Sequence, residues 1–322
     1  MLSTVLDEMY TRIPGDDDLK AMRIIAALNG LEDLYRSPQR RQRGHHGQWD
    51  PAINFCEPAP RYAYTYKYAT VHANLLANAL YDLGAARTLF QGGGPVSVLS
   101  LGSGPGSEIL GICKLLDRLG QQTPVHVSTS DLCPAWELSW QCLSDAAATE
   151  FPVTSSFHTA NLCDPDSADP LPVEDADLIT CVYALSALHG QKEKTEAFFG
   201  RLCARMHSKA ILLCIDGRNY PNTRWLSEIA TGAGMQDIGT LDIPERVVLP
   251  SDEQRTDLGV HYLRLHGRCD PQLQAAPAVW AWSRTPPEQP AKPARNARAA
   301  AIPQDEDDGC YDVRRYNRRA RA

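Results

Sequence analysis

The chain has 322 residues, of which 43% are hydrophobic and 22% charged, a composition typical of a globular protein with a hydrophobic core. No apolar stretch approaches the roughly 20 uncharged residues that a membrane-spanning helix needs, and the acidic N-terminal segment is unlike a signal or transit peptide. The ten cysteines are scattered singly, with no CxxC or paired Cys/His spacing. A formal net charge of -7 argues against a uniformly basic nucleic-acid binder. We therefore expect a soluble intracellular protein, cytoplasmic or nuclear, with no membrane partner and no metal site.

The first 94 residues predict an N-terminal helical region. Apolar residues recur at helical spacing over residues 1–40, interrupted at Gly30, and again over 61–84. The tyrosines of RYAYTYKYAT alternate as in a strand, but no helix breaker follows until Gly84. We therefore predict a helix for the whole of 61–84.

From Val96 onward, strand-like and helix-like segments alternate. This alternation predicts an α/β domain over 95–284 with a Rossmann-like, doubly wound, mainly parallel seven-stranded sheet, whose ligand lies beyond the carboxyl ends of the strands. The predicted strands are 96–101, 125–131, 153–159, 177–183, 210–216, 235–243 and 278–284, and the predicted helices are 107–119, a segment from Pro134, 191–206 and 223–234. Residues 244–277 are long for a plain loop. Residues 285–322 are rich in proline, alanine and charge, which predicts a disordered tail.

The most informative segment is the glycine turn Gly102-Ser103-Gly104-Pro105-Gly106, between the first strand and its helix. Glycines let the backbone approach a ligand closely, and a helix N-terminus presents free amides to a negative group. No GK[ST] follows, which excludes a P-loop, and the GxGxG spacing with Pro105 disfavours a dinucleotide turn.

The segment LGSGPGSE resembles the first motif of the class I S-adenosylmethionine-dependent methyltransferases. The resemblance implies S-adenosyl-L-methionine as cofactor, with its amino-acid end bound by the glycine turn. It also implies that an acidic residue at the end of the second strand binds the ribose hydroxyls of the cofactor. Asp131 occupies that position, although it could instead cap the following helix. Asn161 and Leu162 fit the position beside the adenine, although NLCDPD also reads as an ordinary turn. The cofactor-binding residues implied are Gly102, Ser103, Gly104, Gly106, Asp131, Asn161, Leu162 and Tyr183.

The resemblance also implies a methyl-transfer site at CVYALSALHG, where Tyr183, Ser186 and His189 are expected as exposed polar positions. We take Asp216 and His189 as candidates for a general base and Tyr183 as a further catalytic candidate, with structural roles as the alternative. Tyr62, Tyr66, Tyr68 and His72 are expected either to cover the cofactor as a lid or to pack in the core. The sequence leaves the methyl acceptor open among a small molecule, RNA and a protein side chain.

One departure from the family pattern keeps a second function open. The family often has an acidic residue just before the glycine turn, near the amino group of the cofactor, where this chain has Ser100 and Leu101. Glu108 or backbone carbonyls could take that role. The alternative is a catalytically inactive methyltransferase-fold protein that acts as an RNA-binding or assembly factor, with RNA contacts through Arg36–Arg43 and the C-terminal arginines of RRYNRRARA. A nicotinamide-dependent oxidoreductase is a more distant third possibility.

Overall fold

The computed structural model describes residues 1–36, 53–188, 191–217, 222–242, 246–247, 258–267, 269–272, 274–275 and 277–285. These residues belong to one compact unit, Met1–Glu288.

The N-terminal region is helical, as predicted. It contains α1 (Leu2–Thr11), α2 (Asp17–Arg36), α3 (Pro58–Asp82) and α4 (Gly84–Gln91). The predicted interruption at Gly30 is wrong, because α2 continues through it. Leu28 and Leu31 on either side of the glycine are fully buried, and their burial outweighs the roughly 1 kcal/mol that glycine costs inside a helix.

The seven-stranded sheet has the strand order β3-β2-β1-β4-β5-β9-β6. Pairing is parallel from β3 to β5, whereas β9 is antiparallel to both of its neighbours. This confirms an α/β fold with a mainly parallel seven-stranded sheet. The strands are β1 (Val96–Leu101), β2 (Val125–Asp131), β3 (Val153–Thr159), β4 (Leu178–Val182), β5 (Ile211–Gly217), β6 (Gln236–Asp242) and β9 (Pro277–Ser283).

Both faces of the sheet are covered. Along β1, Val96 and Val98 belong to the hydrophobic cluster under α3, α5 (Ser107–Leu119) and α6 (Glu137–Ala148), whereas Leu99 and Leu101 belong to the cluster under α7 (Lys192–Arg205) and α8 (Asn222–Gly232). The chain runs from β1 to β2 and β3 on one side and resumes with β4 and β5 on the other. In such a sheet, ligands bind at the carboxyl ends of the two strands where the direction reverses, which here are β1 and β4.

Several elements were not predicted from the sequence. They are α4, the short helix Gly259–Arg264, and the two-stranded sheet of β7 (Arg246–Val247) and β8 (Gln274–Ala275), together with 3-10 turns at Pro165–Ala168 and Leu185–Leu188. The helix predicted from Pro134 begins there as a 3-10 turn, Pro134–Trp136, and continues as α6. Among the described residues, no helix is both long enough and apolar enough to span a membrane. The predicted tail lies outside the described residues from position 286 onward.

Candidate functional site

The glycine turn adopts a backbone that other residues resist. Gly102, Gly104 and Gly106 have φ angles of +61°, +49° and +84°, in the left-handed region. A Cβ at Gly102 would lie 2.7 Å from the Ala184 Cβ, and a Cβ at Gly106 would lie 2.9 Å from the Trp140 Cδ1. The turn is therefore packed directly against the loop after β4 and against α6, and only glycine fits at its first and last positions.

Hydroxyl groups hold the turn to the neighbouring strands. The backbone N–H of Ser103 donates to the Ser130 carbonyl at 3.0 Å, and its Oγ donates to the same oxygen at 3.3 Å. Ser100, where the family pattern often has an acid, is fully buried, and its Oγ lies 2.8 Å from the Thr180 Oγ1 on β4. The end of β1 therefore offers no carboxylate to a cationic ligand.

Asp131 is the last residue of β2, next to the glycine turn. Its Oδ2 accepts a 2.9 Å hydrogen bond from the Gly104 N–H, and its Oδ1 accepts one of the same length from the Cys133 N–H. Burial raises the pKa of Asp131, and these amide donors oppose the rise. Each carboxylate oxygen can accept a second hydrogen bond, so Asp131 both braces the turn and keeps acceptor capacity for a ligand. It does not directly cap α6, which begins at Glu137.

Glu108 lies in the first turn of α5, directly after the glycine turn. Its side chain is 2% exposed, and its Oε2 has no hydrogen-bond partner. Burial, with a smaller contribution from the Asp131 carboxylate, raises the pKa of Glu108 to about 8. A backbone hydrogen bond to the same carboxyl group opposes the rise only in part. A buried carboxyl group is costly in its ionised form, so this group is mostly protonated at neutral pH. A cationic ligand group beside it would favour ionisation.

Aromatic side chains flank the glycine turn. The position of a Cβ at Gly104 lies 3.8 Å from the Tyr64 Cε1 and 3.9 Å from the Trp136 Cε2. The rings of Tyr64 and Trp136 lie 5.9 Å apart, and Phe55 lies 5.5 Å from each of them. Three parts of the chain therefore meet beside Gly104: the segment before α3, α3 itself and the 3-10 turn after β2.

His72 continues this aromatic face toward β4. It stacks on Tyr183 with ring centroids 4.7 Å apart and an interplanar angle of 6°, and on Tyr68 with centroids 5.8 Å apart. Burial lowers the pKa of His72 to about 3, so the imidazole is neutral at physiological pH. Tyr183 has a φ of +52°, which is strained for a residue with a side chain. Its backbone N–H donates to the Ile215 carbonyl at 2.8 Å, which holds it at the carboxyl end of β4.

The four aromatic residues expected either to form a lid or to pack in the core divide between the two places. Tyr68 and His72 lie on the face just described, whereas Tyr62 and Tyr66 are buried in the core. The Tyr62 hydroxyl lies 2.7 Å from the His261 Nδ1, and the Tyr66 hydroxyl donates to the Cys269 carbonyl at 2.9 Å. Tyr64 was not among the residues expected to form the lid. Its spacing of four residues from Tyr68 and eight from His72 would have identified it, because residues so spaced share a helix face.

Asn161 and Leu162 follow β3. The Asn161 Oδ1 accepts a 2.9 Å hydrogen bond from the Cys163 N–H, as in an ordinary Asx turn. Leu162 is 6% exposed, and its Cδ1 lies 3.4 Å from the position of a Cβ at Gly102. Leu162 is thus at the glycine turn, whereas a ligand contact by Asn161 stays a prediction.

The residues after β4 are less accessible than expected. Ser186 was expected to be exposed but is 3% exposed, because its N–H donates to the Asp216 Oδ2 at 2.8 Å and this bond draws the Leu185–Leu188 turn inward. The Asp216 Oδ1 accepts a 2.7 Å bond from the Gly217 N–H, and the carboxyl group is 1% exposed. Burial raises the pKa of Asp216 to about 6. These contacts favour positioning of the loop after β4 over the predicted role as a base. His189 lies outside the described residues.

Replacing Asp216 with asparagine is expected to lower the free energy of unfolding by about 1–3 kcal/mol, because the amide NH2 would face one of the two backbone N–H donors. Urea denaturation at pH 7 measures this loss. The matched change Asp175→Asn affects an exposed carboxylate and should leave stability unchanged. Equal stabilities of the two variants would contradict the positioning role.

The arginine runs expected to contact RNA are not described by the structure. Arg36 is the last residue of α2, and the rest of Arg36–Arg43 and the C-terminal arginines lie outside the described residues. An RNA partner therefore stays a prediction.

No family model matches the sequence, and no curated protein is significantly similar to it. Solved structures with a similar shape include an O-methyltransferase family protein from Burkholderia thailandensis, at 14% identity and a TM-score of 0.47, covering 83% of this chain and 73% of that one. Loganic acid methyltransferase matches at 7% identity and a TM-score of 0.45, covering 69% of this chain and 97% of that one. The structure of the citrinin polyketide synthase CMeT domain matches at 18% identity and a TM-score of 0.36. The match covers 60% of this chain and 47% of that one, so this chain spans less than half of that protein's length.

S-adenosylmethionine-dependent methyltransferases recur among these structural neighbours, and no single subfamily stands out. Identities this low do not transfer an activity or a substrate from those proteins to this chain.

Proposed function

We propose that the protein is an S-adenosylmethionine-dependent methyltransferase whose cofactor lies across Gly102–Gly106, with the cofactor's sugar on Asp131. The observation that carries the proposal is the position of this left-handed glycine turn. It follows β1, precedes the N-terminus of α5 and contacts a carboxylate that ends the adjacent strand β2.

Three properties of these residues fit such a cofactor. The first and last glycines pack against Ala184 and Trp140 with no room for a Cβ, which fixes the course of the turn at the carboxyl ends of β1 and β4. The Asp131 oxygens keep acceptor capacity for two hydroxyl groups. The Glu108 Oε2 has no hydrogen-bond partner and can accept from an ammonium group, whose positive charge would favour ionisation of Glu108. Ser100 does not take this role, because its hydroxyl is bonded to Thr180.

The bound cofactor would supply an electrophilic methyl group on a sulfonium ion. Methyl transfer is an in-line displacement, and most of its acceleration comes from orienting the acceptor in a site without bulk water. Tyr64, Trp136, His72 and Tyr183 form the apolar wall that excludes water on the α3 side. The neutral His72 imidazole keeps positive charge away from this wall.

The proposal leaves several candidates for the general base and for the methyl acceptor. Tyr183 and His189 remain candidates for contact with the reacting atoms, and Asp216 would act through the loop that carries Tyr183. A small molecule, RNA and a protein side chain all remain candidate acceptors. Assignment of the cofactor therefore comes before assignment of the acceptor.

Calorimetric titration with S-adenosylhomocysteine tests the proposal without an acceptor. We expect saturable binding to the unaltered protein and on the order of 100-fold weaker binding to Asp131→Ala, because two hydrogen bonds to a charged acceptor are lost. Asp237→Ala is the matched control. Asp237 also accepts a hydrogen bond from the amide two residues ahead, Gly239, but it lies at the start of β6.

Absence of binding to the unaltered protein would overturn the proposal. If RNA then bound with a steep dependence on salt, the inactive RNA-binding alternative would replace it. An increase in NAD(P)H fluorescence on mixing would instead favour the oxidoreductase.

A further inference from the structure

Two thiols from distant parts of the sequence face each other beside the glycine turn. The Cys56 Sγ lies 3.4 Å from the Cys133 Sγ, although the residues are 77 positions apart. Cys56 is exposed and Cys133 is partly exposed. A disulfide bond requires an S–S distance of about 2.05 Å, so an approach of little more than 1 Å would join them.

The backbone holds both cysteines in place. The Cys133 N–H donates to the Asp131 Oδ1 at 2.9 Å, and the Cys133 carbonyl accepts from the Trp136 N–H at 3.2 Å. The Cys56 N–H donates to the Asn54 Oδ1 at 3.0 Å, and the Cys56 carbonyl accepts from the Arg61 Nη1 at 2.8 Å. Neither thiol must be brought in by a large rearrangement.

Exposure sets the order in which the two thiols react. The Arg61 guanidinium donates to the Cys56 carbonyl at 2.8 Å, which fixes the backbone that carries the exposed thiol. Burial and the hydrogen bond with Cys56 raise the pKa of Cys133 to about 11. The exposed Cys56 is therefore the thiol that a reagent meets first, and Cys133 is the slower, second thiol.

A second pair within the same fold serves as an internal comparison. Cys181 and Cys214 are register partners on β4 and β5, and burial, together with a hydrogen bond between them, raises the pKa of Cys214. Both are fully buried. A reagent in solution cannot reach them, so proximity of two thiols is not sufficient for reaction.

We propose that Cys56 and Cys133 are a modification site at which a low-molecular-weight disulfide, such as oxidised glutathione, forms a reversible protein disulfide. The Cys56 thiolate attacks one sulfur of the reagent, which gives a mixed disulfide and releases one thiolate. The Cys133 thiolate then attacks the Cys56 sulfur and releases the second thiol. The two protein thiols together lose two electrons, the reagent disulfide gains them, and the two thiol protons end on the two released thiols.

The bond would tie the segment before α3 to the turn after β2. Phe55, next to Cys56, packs on Trp136 and Tyr64, and these two rings flank Gly104. Oxidation therefore clamps the aromatic side of the glycine turn and slows ligand release from it. This consequence for the ligand rests on the proposed function, whereas the disulfide itself does not.

The test is equilibration of the full-length protein with mixtures of oxidised and reduced glutathione, followed by alkylation and peptide mapping without reduction. We expect a Cys56–Cys133 linked peptide that reduced glutathione removes, while Cys181 and Cys214 stay unmodified. Cys133→Ser should accumulate glutathione on Cys56, and Cys56→Ser should leave Cys133 largely unmodified. Unlinked Cys56 and Cys133 in the fully oxidised mixture, or a mixed disulfide that persists on the unaltered protein, would overturn the proposal.

The effect on the site is measured separately, as the dissociation rate of S-adenosylhomocysteine from the oxidised and the reduced protein. We expect a several-fold slower rate in the oxidised protein and no redox response in Cys56→Ser. An unchanged rate in a protein whose linked peptide has formed would refute the clamping. A protein that binds no S-adenosylhomocysteine in either state would contradict the proposed function, while the peptide map would still decide the disulfide.

Discussion

Replacing Gly104 with leucine is expected to weaken S-adenosylhomocysteine binding at least about 100-fold, or about 2.7 kcal/mol, in a protein that still folds. A Cβ at this position meets the Tyr64 and Trp136 rings only at van der Waals distance, 3.8 and 3.9 Å away. Beyond the Cβ, the leucine side chain would crowd these rings and the face of the turn on which the ligand is proposed to lie. Calorimetric titration measures the loss, and circular dichroism reports whether the fold persists.

The matched control is Gly120→Leu. Gly120 ends α5 with a φ of +60°, close to the +49° of Gly104, and its Cβ would meet nothing within 4 Å. Both variants therefore carry a similar backbone strain of about 1–2 kcal/mol, but only Gly104→Leu fills the candidate site. Equal binding by both variants would mean that the ligand does not lie against the turn.

Glu108→Gln is expected to flatten the dependence of stability on pH between pH 6.5 and 8. The pKa of Glu108 is about 8 in the folded protein and near 4.5 in an unfolded chain. Over this interval the folded state keeps a proton that the unfolded state has released, so the free energy of unfolding falls as pH rises, by about 1.4 kcal/mol per pH unit. The slope halves as pH reaches the folded pKa, so the unaltered protein should lose about 1.6 kcal/mol between pH 6.5 and 8 that the variant does not lose.

Urea denaturation at a series of pH values measures the two slopes, and the difference between them cancels titrations that both proteins share. Glu137→Gln is the control. Glu137 also lies in the first turn of a helix, α6, but it is exposed, so its replacement should leave the slope as in the unaltered protein. Identical slopes for all three proteins would show that Glu108 is not a buried neutral carboxyl group.

Most of the sheet could be predicted because its signals are local. The predicted bounds of β1 and α5 agree with the structure, since an apolar β-branched run, a glycine turn and a helical repeat follow one another without ambiguity. The prediction of a single helix for 61–84 is confirmed by α3. Gly30 misled the prediction, because the penalty for glycine in a helix is local whereas the burial of Leu28 and Leu31 depends on distant residues.

Within the candidate site, the sequence by itself determined the glycine turn and the position of Asp131 at the end of the adjacent strand. Both depend only on residues that are close together in the sequence: the glycines of the turn and the alternating apolar residues of the strand. Only the tertiary structure decided which way the other groups face. It divided the tyrosines of α3 between core and site, and it placed Asp216 where two backbone amides donate to its buried carboxyl group. It also left the Glu108 Oε2 without a hydrogen-bond partner and brought Cys56 next to Cys133. Burial, pKa and contact between distant residues follow from packing in three dimensions, which no local pattern of residues encodes.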